Sequence, residues 1–398
     1  MRTPLVLVCI ALAILLVSCE GEMESTSSRR YAAEAIAIAE AVDEMVEDSG
    51  ETSEATEAVE AVDTEELGRS SPGLRIDDPV HPPGDGDDPP TVESGGPLSV
   101  CSFNIMWLGS YKKKENEQLA DMLSDYDIVV VQEMVSAPCD GVYPDSTAYE
   151  ADEEAEAFSN AMREQGFEEY LSEEDTGPGE TIHTKTTGTE WFVTYYKPDK
   201  VGPATDLPCG FLAEDRSAHP VYRRVPYAFG FRSEDGEADF VLVSVHLNPD
   251  SETARKAEFD AMAEWLAEQN EGSEHDFFIL GDTNIQDAEE LADVLPEGFM
   301  SMNSQCLSTN TKPAAGKPYD HVMYSEASIR EIDTDYGFWI IDLPATMEDY
   351  WNEKYAEPYP GDTTGVDYEN YDHSLFSQHY SDHDPIEFRL AWEGEDDD

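Results

Sequence analysis

Short apolar runs bounded by polar residues recur along the chain from residue 98 onward. Runs rich in β-branched and aromatic residues predict strands, among them "LSVCSFNIMWL", "DIVVVQEM", "ADFVLVSVHLN" and "DFFILGDTNI". Between them, "NEQLADMLSDY" and "SETARKAEFDAMAEWLAEQN" have the apolar spacing of helices. Because continuous apolar strands require cover on both faces, the alternation predicts one α/β domain over residues 98–393.

Polar residues that commonly bind metals or transfer protons stand at the ends of six predicted strands. An apolar run that stops at a carboxylate, amide or imidazole places that group at the rim of a sheet, where ligands usually bind. A single strand-end His is weak evidence, but six such ends are hard to explain by structure alone. The residues are Asn104, Glu133, His246, Asp282, Asn284, Asp320, Asp382 and His383.

The last strand end, "HYSDHDPIEF" at 379–388, leaves three interpretations open from its own residues. It could form a zinc cluster, a catalytic corner, or a polar turn before an edge strand. No CxxC pair is present in the chain, so a structural zinc site is not expected.

The segments outside this domain have different compositions. Residues 1–19 combine an Arg, an apolar run and Cys19, a pattern typical of a bacterial lipoprotein signal in which Cys19 is lipidated. The alternative is a plain membrane anchor, for which the apolar run is short. Residues 20–97 are predicted to be an acidic tether and a Pro/Gly-rich linker, and residues 394–398 an acidic tail.

The charge of the chain is strongly negative, at −65 over 398 residues. Residues 101–398 hold 66 acidic and 18 basic residues, so the domain itself carries −48. Such a surface argues against simple polyanion binding, which normally rests on Lys and Arg. We interpret it as adaptation to high salt, where a charged surface stays hydrated and self-repulsion is screened; weak binding of divalent cations is the alternative.

Four cysteines remain once Cys9 and Cys19 are assigned to the signal. In an exported protein Cys101, Cys139, Cys209 and Cys306 permit two disulfides in three pairings, or Cys101 is simply a buried thiol in its strand. Residues 333–380 are long between two strands and rich in Tyr and Trp, so we expect an inserted loop region beside the site.

The motifs "SFNIMWL", "VVVQEM", "VSVHLN", "ILGDTNI", "YDHVMYS" and "SDHDPIEF", in this order, resemble the endonuclease/exonuclease/phosphatase superfamily. The resemblance covers residues 98–393. It implies a four-layer α/β sandwich like that of deoxyribonuclease I, with two packed β-sheets flanked by helices. It also implies hydrolysis of a phosphate ester with Mg²⁺, or with Mn²⁺ or Ca²⁺ as alternatives.

The resemblance also implies metal-side residues. Glu133 matches the family's metal-binding Glu, and Asn104 and Asp382 match residues that help to hold the metal. Oxygen donors of this kind suit Mg²⁺, which keeps several of its waters.

Other positions match residues that act on the phosphate. Asp282 matches the Asp that positions the attacking water, and Asn284 the amide that holds a phosphate oxygen. His246 and His383 match two His that contact the scissile phosphate, and Asp320 matches the carboxylate that orients the second of them. In "HYSDHDPIEF" this favours the catalytic corner, with His379 and Asp384 outside it.

The stretches "GTEWFVTYYKPDKV" and "YRRVPYAFGF" resemble the deoxyribonuclease I branch more closely. There Glu190 matches a Glu that pairs with the first His, here His246, and Arg224 an Arg that contacts a DNA phosphate. An exposed strand-start Glu and an ordinary surface Arg are the alternatives. The chain departs from that branch after Glu133, where Met134-Val135-Ser136 replaces an Arg that enters the DNA minor groove, and at His321, where Arg is usual.

Three functions are compatible with the sequence. The first is a nuclease acting on extracellular DNA, exported and held at the cell envelope through a lipid on Cys19. The second is a phospholipid phosphodiesterase of the sphingomyelinase type, and the third a surface binding protein that has lost catalysis. The complete set of strand-end residues argues against the third, and no protein partner is inferred.

The acidity of the domain predicts that salt stabilises it. We expect the melting temperature to rise between dilute buffer and molar KCl, because screening weakens repulsion among the surface carboxylates. Differential scanning calorimetry over a KCl series measures this shift. A melting temperature that falls on adding KCl would contradict the interpretation.

Overall fold

The structure is a computed structural model. It describes residues 97–392, except 237, 270–275, 313–315, 326–327, 329 and 356–372. The signal segment with Cys19, the tether up to residue 96 and the acidic tail lie outside the described residues and stay predictions. So does the part of the 333–380 insertion that spans 356–372.

Fifteen strands are described. They are β1 (Leu98–Leu108), β2 (Ile128–Met134), β3 (Gly141–Val142), β4 (Ala148–Tyr149), β5 (Glu168–Leu171), β6 (Trp191–Tyr196), β7 (Val201–Pro203), β8 (Gly210–Phe211), β9 (Tyr227–Ser233), β10 (Asp239–His246), β11 (Phe277–Asp282), β12 (Phe299–Ser301), β13 (Asp320–Ser325), β14 (Trp339–Ile340) and β15 (Ile386–Leu390).

The long strands form two mixed sheets. The first has the order β14-β15-β1-β2-β6-β5, and the second has the order β12-β13-β11-β10-β9-β7 with β8 beside β9. Strands β3 and β4 form a separate hairpin. Each sheet has one parallel pair near its middle, β1 with β2 and β10 with β11, so two neighbouring strands end at the same edge.

Helices cover the outer face of each sheet. They are α1 (Asn116–Met122), α2 (Glu153–Glu164), α3 (Glu252–Gln269), α4 (Ala288–Val294), α5 (Leu343–Tyr355) and α6 (His373–His379). One apolar cluster joins α1, α2, α5 and α6 to the first sheet, and another joins α3 and α4 to the second. A third cluster lies between the sheets. The predicted four-layer α/β sandwich is therefore confirmed.

Strand alternation decides which residues enter the space between the sheets. In β10, Val241, Val243 and Val245 pack under the helices, while Phe240 and Leu242 face the other sheet. His246 lies on the same face of β10 as Phe240 and Leu242. In β11, Asp282 lies on the same face as Phe278 and Leu280. The periodicity thus carries both site residues to the end of the inter-sheet layer.

The 333–380 insertion differs from the expected loop region. Its described part contains β14, α5 and α6, and apolar residues such as Met347, Trp351 and Phe376 belong to the core of the first sheet. Trp351 and Phe376 are thus core residues, although they are among the aromatic residues that suggested a loop. All four cysteines among the described residues are free thiols. The disulfides that the sequence permitted are therefore absent there, and Cys101 is the buried thiol of its strand.

A polar bridge that the sequence pattern did not reveal crosses the core below the site. Gln132 is fully buried; its Oε1 accepts from Ser102 Oγ at 3.3 Å and its Nε2 donates to Ser244 Oγ at 3.3 Å. These contacts give hydrogen-bond partners to an amide whose burial would otherwise destabilise the fold, and they connect the two sheets.

Among the described residues, no helix is both long and apolar enough to cross a membrane.

Gly281 makes room for this bridge. Its φ is +130°, and a Cβ at this position would lie 2.4 Å from Val245 O and 3.0 Å from Gln132 Nε2. We predict that Gly281→Ala lowers the free energy of unfolding by at least ~2 kcal/mol, because backbone strain and overpacking add. Chemical denaturation measures the change.

Gly202→Ala is the matched control, because a Cβ there meets no atom within 4 Å. We expect it to change stability by no more than ~0.5 kcal/mol. Equal effects of the two substitutions would show that the close approach at Gly281 carries no cost.

Candidate active site

The predicted site residues converge where the parallel strand pairs end. In the second sheet His246 and Asp282 are directly paired across β10 and β11, and Asp320 is paired with Asp282 across β11 and β13. Asn104 lies in β1 of the first sheet and reaches across to Asp282. Both sheets therefore contribute to one cleft.

Asn104 connects the carboxylates of the two sheets. Its Nδ2 donates to Glu133 Oε1 at 3.1 Å and to Asp282 Oδ2 at 3.0 Å, and its Oδ1 accepts from Met106 N at 3.0 Å. The backbone contact fixes the orientation of the amide, so its NH₂ group holds the two carboxylates in place.

Glu133 reaches the cleft through an irregular backbone. Its φ is +63°, and the pairing of β2 with both neighbours shifts register beside it. Strand alternation would turn it toward the helices with Val129 and Val131, so this bulge redirects its side chain into the site. There Glu133 Oε2 accepts from Trp107 N at 3.0 Å.

The first imidazole–carboxylate pair is His246 with Glu190. His246 Nδ1 lies 2.8 Å from Glu190 Oε2, and Glu190 Oε1 accepts from Glu133 N at 3.0 Å. Arg224 is buried, with its Nε 3.2 Å from Glu190 Oε2 and an Nη donating to Thr187 O at 3.3 Å. Glu190 is thus a buried partner of His246 rather than an exposed strand-start residue, and Arg224 contacts that carboxylate.

Charge pairing shifts both pKa values in this pair. Burial acts to raise the pKa of Glu190, but the charge and hydrogen bond of His246 and the charge of Arg224 lower it below its usual range. Burial and Arg224 act to lower the pKa of His246, and Glu190 together with Asp282 raises it above the usual value. The pair therefore favours an imidazolium beside a carboxylate.

The second pair is His383 with Asp320. His383 Nδ1 lies 2.7 Å from Asp320 Oδ2, and the same oxygen accepts from Thr309 Oγ1 at 2.7 Å. Burial acts to lower the pKa of His383, but the charge of Asp320, the charge of Asp282 and the hydrogen bond to Asp320 raise it well above the usual value. Ser381 holds the turn, because its Oγ donates to Asn104 O at 2.5 Å and accepts from His383 N at 3.0 Å.

Asp282 lies between the two imidazoles. Its Oδ2 is 3.6 Å from His246 Nε2 and 3.7 Å from His383 Nε2. Burial raises the pKa of Asp282 to about 6 against the lowering effect of the two His charges. A carboxylate with this pKa changes its protonation state close to neutral pH, which suits proton transfer.

Asn284 and Asp382 complete the predicted set. Asn284 has φ +56°; its backbone N donates to Asp282 Oδ1 at 2.9 Å and its Nδ2 donates to Leu247 O at 3.1 Å. Asp382 is partly exposed, and its charge helps to raise the pKa of His383. The structure places both at the cleft, while their roles toward a phosphate and a metal stay predictions.

The neighbours of this corner have structural contacts. His379 Nδ1 contacts Tyr355 Oη at 2.6 Å and Lys113 O at 2.7 Å, and Asp384 Oδ1 accepts from Leu343 N at 3.0 Å. These contacts agree with the expectation that neither residue belongs to the catalytic corner.

Sequence reasoning missed four residues around the site. Gln132, Thr309 and Ser381 support the site residues, and Tyr319 lies with its ring 5.6 Å from the ring of His383. Tyr319 directly precedes Asp320 in the quoted "YDHVMYS", which was the one available signal.

The donor atoms of this cleft fit a divalent metal. Glu133, His246 and Asp282 bring ligand atoms within 4.8 Å of one another, and so do Asp282, Asp320 and His383. The carboxylates of these two groups are those of Glu133, Asp282 and Asp320. Neighbouring carboxylates repel one another, and a hard divalent cation bound between them would relieve this repulsion. Glu133 and Asp282 supply carboxylate oxygens that suit such an ion, whereas Asn104 turns its NH₂ group toward them and Asp382 belongs to neither group.

Comparisons with known proteins find structural similarity at low sequence identity. No family model matches the chain, and no curated protein matches it. A functionally unknown conserved protein from Enterococcus faecalis V583 is similar at 16% identity and a TM-score of 0.44, over 74% of this chain and 100% of that one.

Two further structures are similar at the same level. An endonuclease/exonuclease/phosphatase family protein from Bacteroides thetaiotaomicron has 14% identity and a TM-score of 0.43, over 76% of this chain and 100% of that one. The human Nocturnin catalytic domain with bound sulfate has 12% identity and a TM-score of 0.44, over 75% and 95%.

The Asp320 contact predicts the titration of His383. We expect Asp320→Asn to move the pKa of His383 downward, because the charge that favours the imidazolium is removed while the amide keeps nearly the same shape. NMR titration of the imidazole protons in EDTA measures this. His246, which is paired with Glu190, is the control within the same spectra and should titrate nearly unchanged; an unmoved His383 would contradict the assignment.

Proposed function

We propose that this protein is a hydrolase of the endonuclease/exonuclease/phosphatase superfamily that cleaves phosphodiester bonds with a bound divalent metal. One observation carries the proposal. Two imidazoles, each held at Nδ1 by its own carboxylate, direct Nε2 toward the same Asp282 oxygen, at 3.6 and 3.7 Å. Such an arrangement can hold and move protons around one tetrahedral phosphate.

The roles follow from the charges of these groups. His383, whose pKa is raised well above the usual value, holds a proton at Nε2 that can neutralise a phosphate oxygen or pass to the departing oxygen. Asp282, with a pKa of about 6, is ionised at neutral pH and can orient a water and accept its proton. His246 donates from Nε2 to a second phosphate oxygen while Glu190 keeps its ring in place.

The metal would be held by Glu133, and the resemblance assigns Asp382 and Asn104 to the same ion. When bound, the ion supplies a Lewis acid that polarises the phosphate and stabilises negative charge. Mg²⁺ is the proposed ion, because hard oxygen donors dominate among these residues. The Asn104 amide contributes by keeping Glu133 and Asp282 apart at fixed positions.

DNA is the proposed substrate class, and export with a lipid on Cys19 is the proposed location. The support for the substrate is the resemblance of Glu190 and Arg224 to residues of the deoxyribonuclease I branch. In the structure Arg224 is buried and contacts Glu190, so its contact with a DNA phosphate stays a prediction. The support for the location is the composition of residues 1–19.

The proposal predicts hydrolysis of bis(p-nitrophenyl) phosphate by the purified protein with Mg²⁺ or Mn²⁺. We expect excess EDTA to abolish release of p-nitrophenol, followed by absorbance, and added metal to restore it. Undiminished activity in excess EDTA would exclude the metal-dependent mechanism.

Matched variants connect this activity to the site. We expect His246→Ala and His383→Ala each to reduce turnover by at least ~100-fold, the usual size of acid–base contributions. His219→Ala is the control, because His219 Nδ1 accepts only from backbone N–H groups of its own turn, those of Val221 and Tyr222. Near wild-type turnover in either site variant would remove that His from the mechanism.

A further inference from the structure

The distribution of carboxylates around the cleft is uneven. Asp and Glu make up 88 of 398 residues, so a stretch of 22 residues would carry about five. Residues 298–319 carry none, although most of them form a loop rather than a buried strand. Residues 94–114 also carry none. Both stretches lead directly to the site, the first into Asp320 and the second through Asn104.

The same two stretches hold half of the lysines of the described range. Ten lysines fall within residues 97–392, and five of them are Lys112, Lys113, Lys114, Lys312 and Lys317. Lys112, Lys113 and Lys312 are exposed and Lys317 is partly exposed, whereas Lys114 is buried. Lys112 is paired with Asp152, and Lys317 Nζ donates to Gln286 O at 3.3 Å. Lys113 and Lys312 are therefore the lysines of these two stretches that offer exposed positive charge to a ligand.

Aromatic rings stand beside these lysines on one side of the cleft. We define the first flank as Trp107, Tyr111, Lys112 and Lys113. The rings of Trp107 and Tyr111 lie 5.4 Å apart and are partly exposed. Burial, then the charges of Asp382 and Glu133, raise the pKa of Tyr111.

The first flank has a fixed backbone. Trp107 has φ +53°, an unusual conformation for a bulky residue, and its backbone N donates to Glu133 at 3.0 Å. Tyr111 N in turn donates to Trp107 O at 3.2 Å. The backbone that carries the two rings is thus connected to Glu133 of the site.

The second flank consists of Lys312, Lys317 and Tyr319. The Tyr319 ring is partly exposed and lies 5.6 Å from the ring of His383. Its backbone O accepts from Thr283 N and from Thr283 Oγ1, both at 2.8 Å, which fixes the residue beside Asp282. The ring of Tyr319 therefore lies at the cleft, beside His383.

We infer that the two flanks bind single-stranded nucleic acid, with unpaired bases stacked on Tyr319 and on the Trp107–Tyr111 pair on either side of the phosphate at the site. The inference rests on the proposed function for the position of that phosphate. Aromatic faces next to cations are the usual means of binding unpaired strands, because every base has a face to stack and every linkage a phosphate to neutralise.

Duplex DNA fits these flanks less well. Its bases are already stacked and paired, so they reach the rings only if the duplex opens, which costs free energy. A rigid duplex also extends well beyond the cleft, over a domain of formal charge −48. The basic residue that would follow Glu133 in a groove-binding protein is replaced by Met134 and Val135, which are buried.

The experiment is fluorescence anisotropy with the purified protein in EDTA, so that the strand is not cleaved. The probes are a fluorescein-labelled oligo(dT) 12-mer and a labelled duplex of the same length, titrated over a KCl series. We expect the single strand to bind at least ~10-fold more tightly than the duplex. Equal binding, tighter binding of the duplex, or no binding of the single strand would overturn the inference.

Variants test the rings separately. We expect Tyr319→Leu and Tyr111→Leu, one on each flank, to weaken binding of the 12-mer by ~10-fold or more, in line with the loss of one stacked base. Trp339→Leu is the control, because Trp339 is 43% exposed and lies on β14 outside both flanks. We expect no change in its Kd. If neither flank variant weakens binding while its melting temperature stays that of the wild type, the stacking assignment is wrong.

A lysine variant and a vesicle arm complete the design. Lys312→Gln should reduce the slope of log K against log[KCl] by about 0.7, the value for one phosphate contact on a single strand. Binding to sphingomyelin–phosphatidylcholine vesicles without binding of the 12-mer would point to a lipid substrate and overturn the inference. Strand binding is measured without metal, whereas p-nitrophenol release requires metal. Either measurement can therefore fail while the other succeeds, so the single-strand inference and the proposed hydrolase function are tested independently.

Discussion

One side-chain amide connects the two sheets at the site, and the rest of the arrangement depends on it. Asn104 belongs to the first sheet, and its NH₂ group donates to Glu133 of that sheet and to Asp282 of the other. Two carboxylates in a poorly hydrated cleft would repel each other, and the shared donor offsets part of that repulsion. The distance between the two sheets therefore sets the distance between Glu133 and Asp282.

The buried charges of the site stabilise one another as a set. Asp282 lies between the imidazoles of His246 and His383. Each imidazole also contacts a carboxylate of its own, Glu190 or Asp320, and Arg224 contacts Glu190 as well. Removal of any one member leaves a buried charge without its partner, which usually destabilises a protein more than the pair stabilised it. The strained backbone at Glu133 and Asn284 persists because this network and the surrounding layers determine it.

Most of the fold, and the convergence of the strand-end residues, could be predicted from the sequence. Both depend on alternation along single strands, so that His246 and Asp282 follow from the apolar residues before them. The redirection of Glu133 could not be predicted, because it comes from a bulge with no glycine to mark it. The hydrogen bonds of Gln132 and Thr309 and the core position of Trp351 could not be predicted either, because they depend on contacts between distant segments. The same holds for the absence of disulfides among the described cysteines.

The carboxylate-free stretch at 298–319 gives the domain an electric asymmetry as well as a binding surface. Lysines in stretches free of Asp and Glu can attract an approaching anion over a distance of about one Debye length. That length is ~10 Å at 0.1 M salt and ~3 Å at 1 M. In concentrated brine the long-range guidance disappears, whereas ring faces act only on contact and lose little. At high salt, contacts with aromatic residues around a cleft therefore keep more of their strength than contacts with lysines.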